Sequence, residues 1–254
     1  MNQQFLRILS VASIALVSVF AITSCGKDDA APAAKKCYVL TETSDDGKVT
    51  TYSYDAANNI TMMVAKPASG SSDTTWYTYT TDKLYSKRKQ SGYYLYDTAT
   101  MVSGRITNEV SSDNQGYATV NTYDGSGQLI KSVSNSGGGP TTSTYTWSGG
   151  NVTKIDLVTP AGSGNVQLTY GSSNNTTNLF GLTTSGIFPP AYYGKAIAKL
   201  PVKLSTYVSN IEAASINNVF TLSNDGAPTK NVETTKSILS PDQVTTTNYT
   251  FNCQ

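Results

Sequence analysis

The chain of 254 residues contains no histidine, and that absence removes much of the chemistry a protein of this size would otherwise carry. Ser-His-Asp and Cys-His nucleophiles both need an imidazole base, and His-ligated metal sites need imidazole itself. Paired carboxylates survive the exclusion. Asp45-Asp46 is the only adjacent acidic pair beyond residue 36, and it stands beside Gly47. A calcium or glycosidase site needs more oxygen ligands or a second, facing carboxylate. The triplet therefore reads as a turn. No catalytic residue, metal site or cofactor is expected, and the protein is read as non-enzymatic. The competing enzyme reading is a glycan-active one whose carboxylates come together from distant positions.

Two further groups carry functional possibilities. Trp76, Tyr77, Tyr79, Tyr93, Tyr94 and Tyr96 form an aromatic cluster. On a strand, Tyr77 and Tyr79 share one face and Trp76 takes the other. Such residues commonly fill β cores, and they also stack on sugar rings. The second group is Lys87-Arg88-Lys89, whose neighbouring residues point to opposite faces, as expected of a solvated strand. With Lys+Arg 18 against Asp+Glu 17, there is no basic excess to hold nucleic acid.

The elements that must position these groups are strands. Charged residues make up 14% of the chain, against a usual ~25%, and Thr, Ser, Asn, Gly and 17 tyrosines take their place. Short alternating runs such as Val49-Thr50-Thr51-Tyr52-Ser53-Tyr54 end in Gly, Asn or Asp turns, and no convincing helical period appears before residue 174. The predicted fold is all-β, a long antiparallel meander of hairpins spanning 37–254. One irregular insertion, around 174–202, interrupts it. There Pro189-Pro190 forbids helix, and Ala191 to Leu200 has room for two helical turns ended by Pro201.

Ahead of the strands lies an export segment. The apolar run Ile8 to Ile22 is short for the ~20 residues of a spanning helix and suits a signal peptide over 1–24. Ile22-Thr23-Ser24-Cys25 resembles the bacterial lipobox, which implies lipidation of Cys25 and anchoring by several acyl chains. Residues 25–36 then read as a flexible tether. Within it Lys27, Asp28 and Asp29 resemble the export signal of surface-exposed Bacteroidota lipoproteins. The implied address is the outer membrane, at the cell surface or otherwise on the periplasmic face. The membrane is the expected partner, through the lipid, with a glycan or another envelope protein as the ligand class.

Two cysteines remain, Cys37 at the start of the first strand and Cys253 as the penultimate residue. An exported chain permits a disulfide between them. Two free thiols in separate strands are the alternative.

A phrase recurs along the strands. Tyr54-Asp55 followed by Ile60, Tyr123-Asp124-Gly125-Ser126-Gly127-Gln128-Leu129, Trp147-Ser148-Gly149-Gly150-Asn151-Val152 and Leu222-Ser223-Asn224-Asp225-Gly226-Ala227 share one plan. Each has a large strand-end residue, a turn, and an apolar residue opening the return strand. The phrase resembles the tyrosine-aspartate (Rhs-type) hairpin repeats, and the chain is similar to Bacteroidota lipoproteins of unknown function with a porin-like fold. That resemblance implies a meander curled into an open or partial barrel and implies no activity. An integral outer-membrane barrel is the remaining alternative. It would need an outward apolar band with aromatic girdles, where this chain offers mostly Thr and Ser.

Overall fold

The computed structural model describes residues 36–90, 92–112, 117–177 and 186–253. Sixteen strands follow one another: β1 (Cys37–Ser44), β2 (Val49–Tyr54), β3 (Ile60–Lys66), β4 (Asp73–Tyr79), β5 (Lys83–Gln90), β6 (Tyr93–Val102), β7 (Arg105–Ser111) and β8 (Ala118–Tyr123). Then come β9 (Leu129–Ser136), β10 (Gly139–Ser148), β11 (Asn151–Thr159), β12 (Gly162–Asn174), β13 (Lys199–Val208), β14 (Ile211–Leu222), β15 (Pro228–Ser237) and β16 (Ser240–Cys253). Each strand pairs antiparallel with its neighbours in sequence. β1 also pairs with β16, so the predicted meander curls to full closure. Closure leaves no edge strand exposed.

The strict up-and-down order gives the barrel two unlike ends. At one lie both chain ends of the strand region and every recurrent turn noted in the sequence. At the other lie short connections such as 45–48, 160–161 and 209–210. At the seam Cys37 stands opposite Cys253, and their sulfurs are bonded across 216 residues of sequence.

The recurrent phrase is one turn built three times. Asp55 N–H donates to the Asn59 carbonyl, and Asn58 N–H donates back to the Asp55 carbonyl. Asp124 with Gln128 and Gly127, and Ser223 with Ala227 and Gly226, repeat both bonds. The opening side chain also accepts from the closing N–H, at 2.8 Å for Asp55–Asn59 and for Asp124–Gln128 and 3.1 Å for Ser223–Ala227. The fourth residue takes a left-handed backbone, φ +63° at Asn58, +87° at Gly127 and +78° at Gly226. That requirement explains the Gly and Asn there.

The large residue before each turn has its own task. Tyr54 donates its hydroxyl to the carbonyl of Val39, Tyr79 to Ile60, Tyr123 to Ile106 and Tyr170 to Val152, and the Trp147 indole donates to Leu129. Each bond runs 15–19 residues back, from one hairpin to the one before it. Bulges at Ser53/Tyr54, Thr122/Tyr123, Thr146/Trp147 and Thr169/Tyr170 place four of these rings. Here the aromatic content is a chain of polar staples wrapped around the inner wall.

The insertion is shorter and less helical than expected. Its only helical turn among the described residues is the 3-10 turn Pro190–Tyr192, because Lys199 and Leu200 already belong to β13. Pro201 does not end a helix. It pairs with Tyr170 beside a bulge, where a strand tolerates a missing N–H. The insertion folds over the turn-bearing end as a plug, burying Phe188, Tyr193 and Ile197 among Ile60, Leu84, Met101, Leu129 and Val152.

Candidate functional site

Register sorts the six aromatics onto the two surfaces of the wall. Thr75 and Tyr77 are buried and face inward with Tyr79, whereas Trp76 faces outward. Tyr77 donates to the Ile187 carbonyl of the plug at 3.0 Å, and its ring packs among Ile60, Leu84 and Phe188. Tyr79 lies against Tyr192, with centroids 5.5 Å apart. Burial raises both hydroxyls far above the ordinary tyrosine range. These two residues hold the plug and are not available to an outside ligand.

Outside, Trp76, Tyr94 and Tyr96 meet around one amine. Trp76 is the cross-strand partner of Lys87, and Lys87 of Tyr96. Lys87 Nζ lies 4.4 Å from the Tyr94 ring centroid, 5.8 Å from Trp76 and 5.9 Å from Tyr96. Tyr94 and Tyr96 keep 48% and 54% of their surface exposed, and Tyr93, near the tip of the β5–β6 hairpin, keeps 76%. The paired register of β6 with β7 begins only at Asp97, so Tyr93 to Tyr96 stand clear of it, apart from the Ser112 bonds to the Tyr96 backbone. Lys89 points the same way as Lys87, opposite Thr74 and Tyr94. The triplet Lys87-Arg88-Lys89 thus splits as alternation requires. Lys87 and Lys89 are exposed, and Arg88 turns inward.

Inward, Arg88 Nε and Nη2 bind the Asp97 carboxylate at 2.8 and 3.1 Å. Ser86 and Ser111 donate to the same group. Burial alone would raise the Asp97 pKa, and these three partners outweigh it, holding the carboxyl below the ordinary range. Two other inward carboxylates are engaged elsewhere. Glu109 accepts from Tyr193 of the plug at 3.0 Å and from Asn121 at 3.2 Å. Glu42 accepts from Tyr52 at 2.9 Å, and desolvation pushes its pKa up to about 7 against that bond and Lys48. Asp97 and Glu109 serve separate networks, whereas Glu42 acts on Tyr249 together with a further carboxylate, Glu233. Asp45 and Asp46 do turn work: Asp45 accepts from Thr246 N–H, and Asp46 from Lys48 N–H. No group of three or more acidic or cysteine side chains placed to hold a metal occurs among the described residues.

Away from the aromatic strip the outer wall carries polar and charged rows, with valines such as Val110, Val120, Val158, Val219 and Val244 exposed between them. One cross-strand row runs Thr146, Lys154, Gln167, Ser205, Ser215, Lys236 over β10 to β15. Exposed ion pairs Lys154–Asp156, Lys203–Glu212 and Lys236–Asp242 lie on this side at 2.7, 3.4 and 3.5 Å. Such surface pairs add little stability, and their weight here is in marking which face meets water.

Cys25, Lys27, Asp28 and Asp29 lie outside the described residues, as do the signal peptide and nearly all of the tether. Sequence reasoning placed the aromatics but missed the Lys87 cage, which needs the register of three strands. It also missed the Tyr193–Glu109 contact, across 84 residues. The alternation of Trp76 with Tyr77 was the one available signal.

Comparison with known proteins bears on the fold. The RHS Repeat family model matches residues 39–71, which cover β1 to β3 and their turns. A porin-like protein from Bacteroides uniformis ATCC 8492 superposes with TM-score 0.66 at 19% identity, over 88% of this chain and 99% of that one. A porin-like protein from Bacteroides vulgatus ATCC 8482 superposes with TM-score 0.59 at 12% identity, over 85% and 99%. No curated protein matches the sequence. The chain therefore has the fold of Bacteroides porin-like proteins, built on Rhs-like repeats.

Proposed function

We propose that this protein is a lipid-anchored envelope module: a water-facing β-barrel tethered through Cys25, non-enzymatic, which binds its ligand on its outer wall. The observation that carries the reading is the outer row from Lys154 to Lys236. A lysine facing lipid near the bilayer midplane costs about 2–4 kcal/mol, and this wall repeats Lys, Asp, Gln and Asn at mid-strand positions. Immersion in hydrocarbon is thereby disfavoured, and an external anchor supplies what the barrel wall does not. The tether joins the chain at Cys37, at the plugged end, so the tip of the aromatic strip faces away from the membrane. Against an enzyme stand the bonds that already occupy Asp97 and Glu109.

The test is metabolic labelling with an alkyne fatty acid, together with proteolysis of intact cells. The native chain should take the label, Cys25→Ala should not, and the tether should be cut without lysis, releasing the barrel into the medium. Absence of label on the native chain contradicts the anchor. Protection until lysis moves the module to the periplasmic face.

A further inference from the structure

The outer strip around Lys87 gathers lysines beside exposed aromatic rings. On β3 to β6 the outward side chains include Lys66, Lys87 and Lys89, and the two carboxylates of these strands, Asp73 and Asp97, take inward positions in the alternation. No carboxylate pairs with Lys87 or Lys89 among the described residues. Their amines lie on the face that carries the exposed rings, without a counter-ion among the described residues. Elsewhere on the wall Lys154, Lys203 and Lys236 are paired with Asp156, Glu212 and Asp242.

We propose that this strip binds an acidic polysaccharide, its sugar rings stacked on Tyr96, Tyr94 and Trp76 and its carboxylates or sulfates held by Lys87 and Lys89. The proposal rests on the binding-module reading and names that module's ligand class. Three features favour a saccharide over an acidic protein. First, the strip is rich in hydroxyl-bearing residues, with Thr74 in line with Lys89 and with Thr78 and Thr98 flanking Tyr85, and its aliphatic side chains Met62 and Val64 stand at the β3 margin. Second, the rings are spread along the wall. Trp76 and Tyr96 are two strands apart, about 10 Å at the usual strand spacing, which suits a chain ligand lying across the strands. Third, Lys87 is held by three rings, so its ammonium sits at the aromatic surface and an anion can reach it without losing the stacked contact.

The full lipidated chain in detergent is tested by affinity electrophoresis in gels containing polygalacturonate or dextran. Polygalacturonate should retard it, and less so as salt rises from low to physiological strength. Dextran should not. Tyr96→Ala and Tyr94→Ala should each weaken retardation roughly three- to tenfold, and the Lys87→Gln/Lys89→Gln pair should abolish it. All four residues face solvent, and an unchanged melting temperature confirms that each variant is folded. Equal retardation by dextran, or retention that survives the lysine pair, overturns the acidic assignment while leaving a neutral-glycan module standing. No retention by polygalacturonate, or indifference to the tyrosine variants, overturns the site. Retention of an acidic polypeptide such as polyglutamate with no retention by polygalacturonate assigns the strip to a protein partner and also overturns the proposal. None of these outcomes touches the lipid anchor, which stands or falls on its own label.

Discussion

Tyr123 reaches back 17 residues to donate its hydroxyl to the carbonyl of Ile106 at 2.7 Å, fastening one hairpin to the one before it. Ile106 itself is wholly buried. Arg105 lies 5.7 Å from the same ring, and Gly127 of the following turn packs against the Arg105 guanidinium. The staple, the turn and the core contact are thus one unit, and the repeated sequence phrase is its signature. Tyr123→Phe keeps the ring and loses the bond, so it should cost about 1 kcal/mol. Tyr123→Ala also loses the packing and should cost about 3–5 kcal/mol. Urea unfolding of the two variants separates the contributions.

The Cys37–Cys253 bond fastens β1 to β16 where the sheet closes. Closing a loop of this length is worth up to about 5 kcal/mol by chain entropy. The Cys37→Ser/Cys253→Ser variant should lose a large part of that. Hydrogen exchange should then rise first in β1 and β16, because the seam loses its covalent tie while the other fifteen pairings keep theirs.

Much of this plan was legible in the residues. Tyr54-Asp55 and Tyr123-Asp124 announced both the strand end and the capped turn, since Asp capping and positive φ are local requirements. Closure was not legible. It depends on whether fifteen successive twists bring β1 beside β16, a sum that no local window contains. The plug's contacts escaped for the same reason: Tyr193, Gly194 and Lys195 read as part of a short helix, and their partners Glu109 and Gly127 are more than sixty residues away. The aromatic cluster was seen but not divided. Alternation separated Trp76 from Tyr77, yet only the pairing of β4, β5 and β6 shows that Trp76, Tyr94 and Tyr96 surround Lys87.

Glu42 supplies a pH test. Its folded pKa is raised to about 7, above the 4.5 of the free side chain, chiefly by desolvation. A raised carboxyl contributes stability that is fully present below the unfolded value and is lost as pH climbs through the folded one. Wild type should therefore lose up to about 3 kcal/mol between pH 4.5 and 7 from this group alone, at about 1.4 kcal/mol per unit. Glu42→Gln stays neutral and can still accept from Tyr52. The difference in urea midpoints between the two proteins should be near zero at pH 4.5 and should favour the variant at pH 8. A difference independent of pH contradicts the assignment.

Gly194 fixes the plug. Its φ is +88°, and a Cβ there would collide with the Gly127 carbonyl oxygen and approach the Tyr123 ring at 2.8 Å. Next to it, Lys195 N–H donates to that same carbonyl at 2.9 Å. Gly194→Ala should cost about 1–3 kcal/mol in backbone strain. It should expose 186–198 to limited proteolysis while the strands stay resistant, because the barrel's own ladder does not pass through Gly194.

The central claim is that the barrel wall stands in water and the membrane is reached only through the lipid. Sedimentation of the chain expressed without residues 1–35, oxidised and free of detergent, tests it most directly. The account predicts a dispersed species with cooperative unfolding and an intact Cys37–Cys253 bond. Aggregation that only detergent or lipid reverses would contradict it.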